Sequence, residues 1–175
     1  MGCSQSGNVR MQDSTIQLDT YLTPEQVRLV KQSWMILGED MEVTGLLVFK
    51  KLFENNEGLK KLFYKLMKSD NPDKLEFDQE KLKTHATIVM QGLGAAVESL
   101  EDSVFLTNVL IAMGERHATY NVKSEMVPHL WPAIRDAFKE LMGEDFSPAV
   151  ENAWLHVFEY IGSKFKMGIV SGKNK

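Results

Sequence analysis

Two histidines stand on the apolar sides of two separate helical patterns, and imidazole is the side chain that most commonly binds metal ions. His85 lies within the first pattern, and His117 lies one turn after Met113 in the second. Two imidazoles that face each other across an apolar slot form an arrangement suited to an iron porphyrin. Each histidine taken alone has another interpretation, because a lone imidazole on a helix is more often a partly buried, hydrogen-bonded side chain than a ligand.

Two helices must position these histidines. The first has apolar or small residues at the three-and-four spacing of one helix face, with His85 and Ile88 on the same stripe. That stripe comprises Leu82, Val89, Gly92, Leu93, Ala96, Val97 and Leu100. Asp78 precedes the stripe and is placed to cap the first turn. The second helix carries Leu106, Val109, Leu110 and Met113 ahead of His117, and residues 119–121 favour a corner.

Aromatic residues upstream predict walls for the slot. A helix over residues 43–53 carries Phe49, and a corner over residues 59–67 presents Phe63. Together with Val89 and Val122, these rings could enclose a flat apolar ligand.

Glycines and prolines predict where helices cross and begin. Gly45, Gly92 and Gly94 are costly inside helices, at about 1 kcal/mol each, so they indicate close approach of other helices. Pro128 and Pro132 interrupt the helical pattern of residues 124–142. Because an internal proline loses a hydrogen bond and clashes one turn back, this helix is expected to begin late or with a kink.

Residues 23–168 resemble the globin family. The matching pieces read GLLVFKKLFENNEGLKKLF, LKTHATIVMQGLGAAV and LIAMGERHATYNV. A phenylalanine in the corner after the second helix, a distal histidine and a proximal histidine are the family's most constant features, and Phe63, His85 and His117 occupy those places in order. The resemblance implies an all-α globin fold of seven to eight helices around a haem pocket, with haem b as the cofactor.

The resemblance also assigns roles around the cofactor. Phe63 would stack against the porphyrin, while Phe49 and Val89 would crowd the far side. Lys65 and Arg116 are candidate partners of the haem propionates, although both also fit simple exposure on a solvated surface. The other expected cofactor contacts are Val122, Met113, Val127 and Leu130.

The two histidines would act differently. His117 would bind iron as a neutral imidazole, with its other nitrogen bonded to a backbone carbonyl or a side chain. His85 would either donate a hydrogen bond to a bound diatomic ligand or occupy the sixth position of the iron and compete with external ligands. Ile88 is apolar where some family members have a basic residue, so gating through that salt bridge is not expected here.

The N-terminal residues Met-Gly-Cys-Ser-Gln-Ser fit the pattern for myristoylation of Gly2, and Cys3 adds a thiol that could be palmitoylated. Two acyl chains hold a protein at a membrane more firmly than one. This start resembles the membrane-associated, acylated branch of animal globins called globin X. The alternative is a disordered, unmodified tail. We expect an acylated flexible segment over residues 1–22, a globin domain over 23–168 and a polar tail over 169–175, at the cytoplasmic face of the plasma membrane.

Composition limits the remaining classes. The chain has 175 residues, 43% of them hydrophobic, which suits one domain with a sizeable core. A net charge of −4 argues against nucleic acid as a partner, and neither a membrane-spanning run nor a secretory signal is evident, so an intracellular protein is expected. The single cysteine, Cys3, excludes an intramolecular disulfide and a cysteine-based metal site. His129 and His156 fall outside the apolar stripes and are expected at the surface.

The sequence therefore predicts a haem protein that binds dioxygen, carbon monoxide, nitric oxide or nitrite, with a redox, sensing or protective role more than bulk transport. A second interpretation is an enzyme, a nitric oxide dioxygenase or nitrite reductase, which would need an unknown reductase because the chain has no flavin or nicotinamide domain. A third is a haemless helical interaction module, against which the presence of both His85 and His117 argues.

Overall fold

The computed structural model describes residues 22–69 and 76–173, and within these ranges the chain is helical. The α-helices are α1 (Pro24–Leu37), α2 (Met41–Asn55), α3 (Gln79–Glu98), α4 (Ser103–Ala118), α5 (Leu130–Met142) and α6 (Pro148–Gly172). Three 3₁₀ segments connect them, at Glu57–Leu66, Ser124–His129 and Gly143–Asp145. An isolated bridge between Met67 and Phe77 is the one β-type pairing in the described part. The all-α prediction is confirmed.

Side-chain caps fix the starts of five of the six described α-helices, among them α1, α3 and α6, and the cap at Asp78 was predicted. Thr23 accepts a hydrogen bond from the backbone amide of Gln26, whose side chain in turn accepts from the amide of Thr23. Asp78 accepts from two amides in the first turn of α3, and Ser147 accepts from the amide of Val150 at the start of α6. These bonds satisfy donors that the first helical turn leaves without partners.

The core lies between α1, α2, α3, α5 and α6, and α4 adds Leu106 and Leu110 to it. Its largest fully buried side chains include Trp154, Phe138 and Leu37. Trp154 donates from its indole nitrogen to the hydroxyl of buried Ser33 at 2.8 Å, so the one polar atom of this ring has a partner. Ser33 was not predicted as a core residue, because a serine on a helix gives no apolar signal.

The helix that carries His85 is seated by glycines, as predicted. A Cβ built at Gly45 of α2 would lie 2.7 Å from the carbonyl oxygen of Ala86, so α2 and α3 cross at a distance that requires glycine. At Gly94 a Cβ would lie 3.0 Å from the ring of Trp34 on α1. Gly92 makes a looser contact than expected.

A glycine seam joins α4 to α6, and it was not predicted. A Cβ at Gly114 would overlap the carbonyl oxygen of Phe165, and a Cβ at Gly168 would overlap that of Ile111. Beyond the seam, the hydroxyls of Thr107 and Tyr160 are 2.6 Å apart and bonded. The proximal-side helix is therefore held to α6 by backbone contact.

Several local expectations need adjustment. The 3₁₀ segment Ser124–His129 contains Pro128, and α5 begins only at Leu130, which confirms a late helix start. Ile88 is 57% exposed and does not share the buried stripe of α3. His129 is exposed as predicted, whereas His156 is half-buried and bonded to the carbonyl oxygen of Asn152.

The last helix continues past the expected boundary at residue 168. α6 extends through Gly172, and Ile169 is completely buried. The apolar stripe of α6 therefore continues into residues that the sequence interpretation assigned to a polar tail.

The predicted acylation signal at Gly2 and Cys3 lies outside the described part of the chain. Within the described ranges, every helix is too short or too polar to cross a membrane.

Candidate functional site

Side chains of α4 extend towards α3, the helix that carries His85. Met113 of α4 reaches α3, where a Cβ built at Gly92 would lie 3.9 Å from its terminal methyl group. One turn further along α4 is His117, close enough to His85 for the two imidazoles to interact electrostatically. Burial lowers the pKa of His85, and the nearby His117 lowers it further. We call His85, His117, Phe49, Phe63 and Met113 the histidine site.

Aromatic rings surround His85 on the α2 side. The centroid of its ring lies 5.3 Å from that of Phe49 and 5.8 Å from that of Phe63. The two phenyl rings contact each other edge to face at 5.6 Å, and Phe53 contacts both. The structure thus places Phe49 and Phe63 beside His85, and the stack of Phe53 on Phe77, at 4.8 Å, extends the aromatic cluster.

His117 is oriented by a backbone hydrogen bond. Its Nδ1 lies 2.8 Å from the carbonyl oxygen of Met113, one turn earlier on α4. A carbonyl oxygen only accepts, so Nδ1 carries the proton and Nε2 keeps its lone pair. The ring of Phe165 packs against the imidazole at 4.9 Å, and the amide of Val122 donates to the carbonyl oxygen of His117 at 3.3 Å.

The other predicted contact residues are distributed around this site. Val89 and Leu130 are partly buried against the core, and Met113 is partly exposed at the α3–α4 contact. Val122 is half-buried in the corner after α4. Val127 lines a separate groove of about 310 Å³, together with Trp131 and Phe158, whose lining includes neither His85 nor His117.

The predicted cations lie at the solvent-facing edge of the site, joined by a residue that the sequence interpretation missed. Lys65 Nζ is 4.6 Å from the centroid of the Tyr120 ring, and the guanidinium of Arg116 lies near the Tyr120 hydroxyl. Arg116, followed by the charge of Lys65, lowers the pKa of Tyr120. Tyr120 follows α4 in a corner, and helical periodicity gives no signal at such a position.

The two histidines fit a metal ion whose other ligands come from a cofactor. Among residues 22–69 and 76–173 there is no group of three or more His, Cys, Asp or Glu side chains suited to a metal ion. Two imidazoles on facing helices, with phenyl rings and Met113 beside them, instead match the axial ligands and apolar walls that a porphyrin requires. The residues present therefore fit haem.

Comparison with known proteins gives the same family. A family model described as Globin matches residues 46–165. Cytoglobin-2 of Danio rerio is 28% identical over 134 residues, which cover 76% of this chain and 74% of the relative. Neuroglobin of Danio rerio is 26% identical over 148 residues, covering 84% of this chain and 92% of that protein.

A solved structure has the same fold. It is the crystal structure, at pH 4, of a hexacoordinated heme protein from an anhydrobiotic tardigrade, which superposes with a TM-score of 0.75 at 21% identity and covers 85% of this chain and 96% of its own. The family model spans well over half of the chain. The chain therefore belongs to the globin family, whose cofactor is haem b.

Proposed function

We propose that this globin holds haem through His117 and binds dioxygen and other diatomic ligands, with His85 on the opposite face of the porphyrin. The observation that supports this proposal is the 2.8 Å bond between His117 Nδ1 and the carbonyl oxygen of Met113. It fixes the ring and leaves Nε2 as a metal ligand, and a hydrogen-bonded second nitrogen is the usual arrangement for a metal-binding histidine. Haem iron supplies the coordination position at which diatomic ligands bind.

The resting state that we favour has both imidazoles on iron. His85 is half-buried between Phe49 and Phe63, and burial lowers its pKa, so its neutral, metal-binding form is favoured at neutral pH. An external ligand would then have to compete with His85. The apparent affinity for that ligand would equal the intrinsic affinity multiplied by the fraction of protein in which His85 is not bound to iron. If His85 did not hold the iron, the same side chain would donate a hydrogen bond to the ligand.

The test is the absorption spectrum of the purified protein in its ferrous form. A six-coordinate, low-spin spectrum without added ligand is expected, and the absence of a Soret band would refute the haem proposal. His117→Ala should lose stable haem, because only apolar contacts and His85 then remain. His85→Leu should keep haem and bind carbon monoxide faster, since departure of His85 no longer limits entry.

His129→Ala is the matched control, because His129 is exposed and lies outside the histidine site. Full haem content with an unchanged spectrum in His117→Ala would exclude His117 as the proximal ligand. Unchanged ligand kinetics in His85→Leu would remove His85 from the distal position.

We also propose that the protein is tethered to a membrane through acyl chains on Gly2 and Cys3, as in globin X. The support is the sequence Met-Gly-Cys-Ser-Gln-Ser alone. One myristoyl chain binds only marginally, so both residues are required. A tethered globin cannot serve as a diffusing carrier, which favours a redox, sensing or protective role.

Fractionation of animal cells tests the tether. Gly2→Ala should abolish membrane attachment, because without myristate the chain no longer samples the membrane where Cys3 is acylated. Cys3→Ser should give partial release, and Ser4→Ala should have no effect. Neither tether variant should change the haem spectrum. Wild-type protein wholly in the soluble fraction would refute the tether and leave the haem proposal intact.

A further inference from the structure

Two cations from opposite sides of the histidine site meet on one tyrosine. Lys65 lies near the end of the 3₁₀ segment Glu57–Leu66, and its Nζ is 4.6 Å from the centroid of the Tyr120 ring, within the range of a cation–π contact. Arg116, in the last turn of α4, lies close enough to the hydroxyl of the same residue to lower its pKa. One cation therefore lies over the face of the ring, and the other lies near its oxygen.

These cations differ from the lysines that form ion pairs elsewhere in the described part of the chain. Lys31, Lys51 and Lys68 each form a salt bridge with a glutamate from another part of the chain. Within residues 22–69 and 76–173, neither Lys65 nor Arg116 has a carboxylate within 4.0 Å. Two like charges are brought together by a neutral phenol, and this arrangement favours an anion as the missing partner.

Lys65, Tyr120 and Arg116, which we call the tyrosine cluster, also span the two sides of the histidine site. Lys65 follows Phe63 by two residues, and Phe63 contacts His85 at 5.8 Å. On the other side, the ring of Tyr120 stands perpendicular to that of His117 at 6.2 Å. An anionic group at the edge of a ligand between the histidines would therefore reach both cations.

We infer that Tyr120 is a positioning residue that holds Lys65 and Arg116 in place for the two propionate carboxylates of haem. The inference rests on the proposed haem site and adds the residue that organises its edge. The phenol has two functions that can be separated: its ring face holds Lys65, and its oxygen holds Arg116. The lowered pKa of Tyr120 agrees with this placement, because both cations favour negative charge on its oxygen.

The experiment compares two porphyrins. Wild type, Tyr120→Phe, Tyr120→Leu and Lys65→Met are reconstituted with haem or with haem dimethyl ester, which has no carboxylates, and the rate of porphyrin loss to an excess of an acceptor globin is measured. With haem, Lys65→Met should lose the cofactor about two- to fivefold faster, as expected for an exposed ion pair, and Tyr120→Leu about three- to tenfold faster. Tyr120→Phe should fall between wild type and Tyr120→Leu.

With the dimethyl ester, all four proteins should lose the porphyrin at the same rate. A purely structural role of Tyr120 against His117 would instead accelerate the loss of both porphyrins equally, and this result would overturn the inference. Unchanged haem loss in Tyr120→Leu and Lys65→Met would also overturn it. If Tyr120→Leu does not fold, as judged by circular dichroism, Tyr120→Phe and Lys65→Met provide the test. The deciding quantity is then the rate of haem loss divided by the rate of dimethyl ester loss, compared with wild type.

Lys61→Met is the matched control, since it removes an exposed lysine from the same 3₁₀ segment. It should leave the loss rates of both porphyrins unchanged. An effect as large as that of Lys65→Met would mean that any positive charge on this surface slows haem loss, and it would overturn the specific role of Lys65 and Tyr120. The two proposals fail in different ways. If wild type binds neither porphyrin, the haem site is refuted. If wild type binds both and the variants lose haem and the dimethyl ester at the same relative rates as wild type, only the role of Tyr120 is refuted.

Discussion

The two helices that carry the histidines differ in the number of neighbours that hold them, although each makes a backbone contact at a glycine, Gly45 for α3 and Gly114 for α4. α3 packs on α2 and on α1, with Ala86 and Met90 fully buried and Trp34 against Gly94. The main neighbour of α4 is α6, which it contacts through Gly114 and Gly168. Four apolar residues of α4 remain between 37% and 65% exposed, namely Val104, Phe105, Val109 and Met113.

This difference separates two ways of positioning a ligand. His85 owes its surroundings to side chains, since the rings of Phe49 and Phe63 flank it. His117 owes its position to backbone, through the carbonyl oxygen of Met113 and the seam that brings Phe165 to its ring. Contacts made by side chains can adjust to a small substitution by a change of rotamer, whereas contacts between backbones cannot.

The largest effect is expected from a methyl group placed in the backbone seam. Gly168→Ala would overlap the carbonyl oxygen of Ile111, and no rotamer change can relieve this clash, so α4 must move away from α6. We expect a loss of about 2–3 kcal/mol in unfolding free energy, near the upper part of the range for overpacking and despite the gain in helix propensity. Urea unfolding measures it.

Gly58→Ala is the control, because a Cβ at Gly58 has no neighbour within 4 Å. If the Gly168 variant were as stable as this control, the seam would not hold α4.

The second expected effect is a difference in local stability between the two helices without haem. α4 has one main neighbour and several exposed apolar side chains, so it should open more easily than α3. Backbone amides at the centre of α4 should exchange with solvent about ten- to a hundredfold faster than those of α3, a difference of about 1–3 kcal/mol in opening free energy. Hydrogen exchange followed by mass spectrometry or NMR measures this difference.

Haem binding should protect α4 more than α3, because His117 then adds a second attachment. Equal protection of the two helices in the haem-free protein would contradict the proposed difference.

The same contrast explains what could be predicted from the sequence. The cap at Asp78, the crossing at Gly45 and the neighbours Phe49 and Phe63 of His85 were all predictable, because they follow from capping chemistry, apolar spacing and family position. The apolar stripe of α3 was wrong at Ile88, which is exposed, and it left out Ala86 and Met90, which are fully buried. Spacing alone cannot distinguish the edge of a buried face from its centre.

The α4 side was less predictable. Gly114 and Gly168 have no side chain to form a pattern, and their contact joins residues far apart in the chain. Tyr120 lies in a corner, where neither periodicity nor capping applies. The pattern did predict that Met113 and His117 share a face of α4, but not that α6 would be the main neighbour of this helix.

A smaller effect is expected from the same glycine-to-alanine change on the α3 side. The Cβ in Gly94→Ala would lie 3.0 Å from the ring of Trp34, a side chain that can shift by a few tenths of an ångström. The cost of that shift and the gain in helix propensity should nearly cancel, so unfolding free energy should change by less than about 1 kcal/mol. A loss as large as that of Gly168→Ala would mean that α3 is seated as rigidly as α4.

The smallest effect concerns the salt bridge that ties α2, which supports α3, to α5. Lys51 Nζ lies 2.6 Å from Glu140 Oε2, and this hydrogen bond, followed by the charge of Lys51, lowers the pKa of Glu140 below its ordinary value of 4.5. A carboxyl group with a lowered folded-state pKa stabilises the fold above its unfolded value, and that contribution disappears as the pH falls through the folded pKa. The stability difference between wild type and Lys51→Met should therefore be small at neutral pH, should shrink as the pH falls below 4.5, and should vanish once Glu140 is protonated in the folded protein. Urea unfolding across this range measures the difference, with Lys139→Met as an exposed control, and parallel pH profiles for wild type and Lys51→Met would mean that the pair contributes nothing to holding α2 against α5.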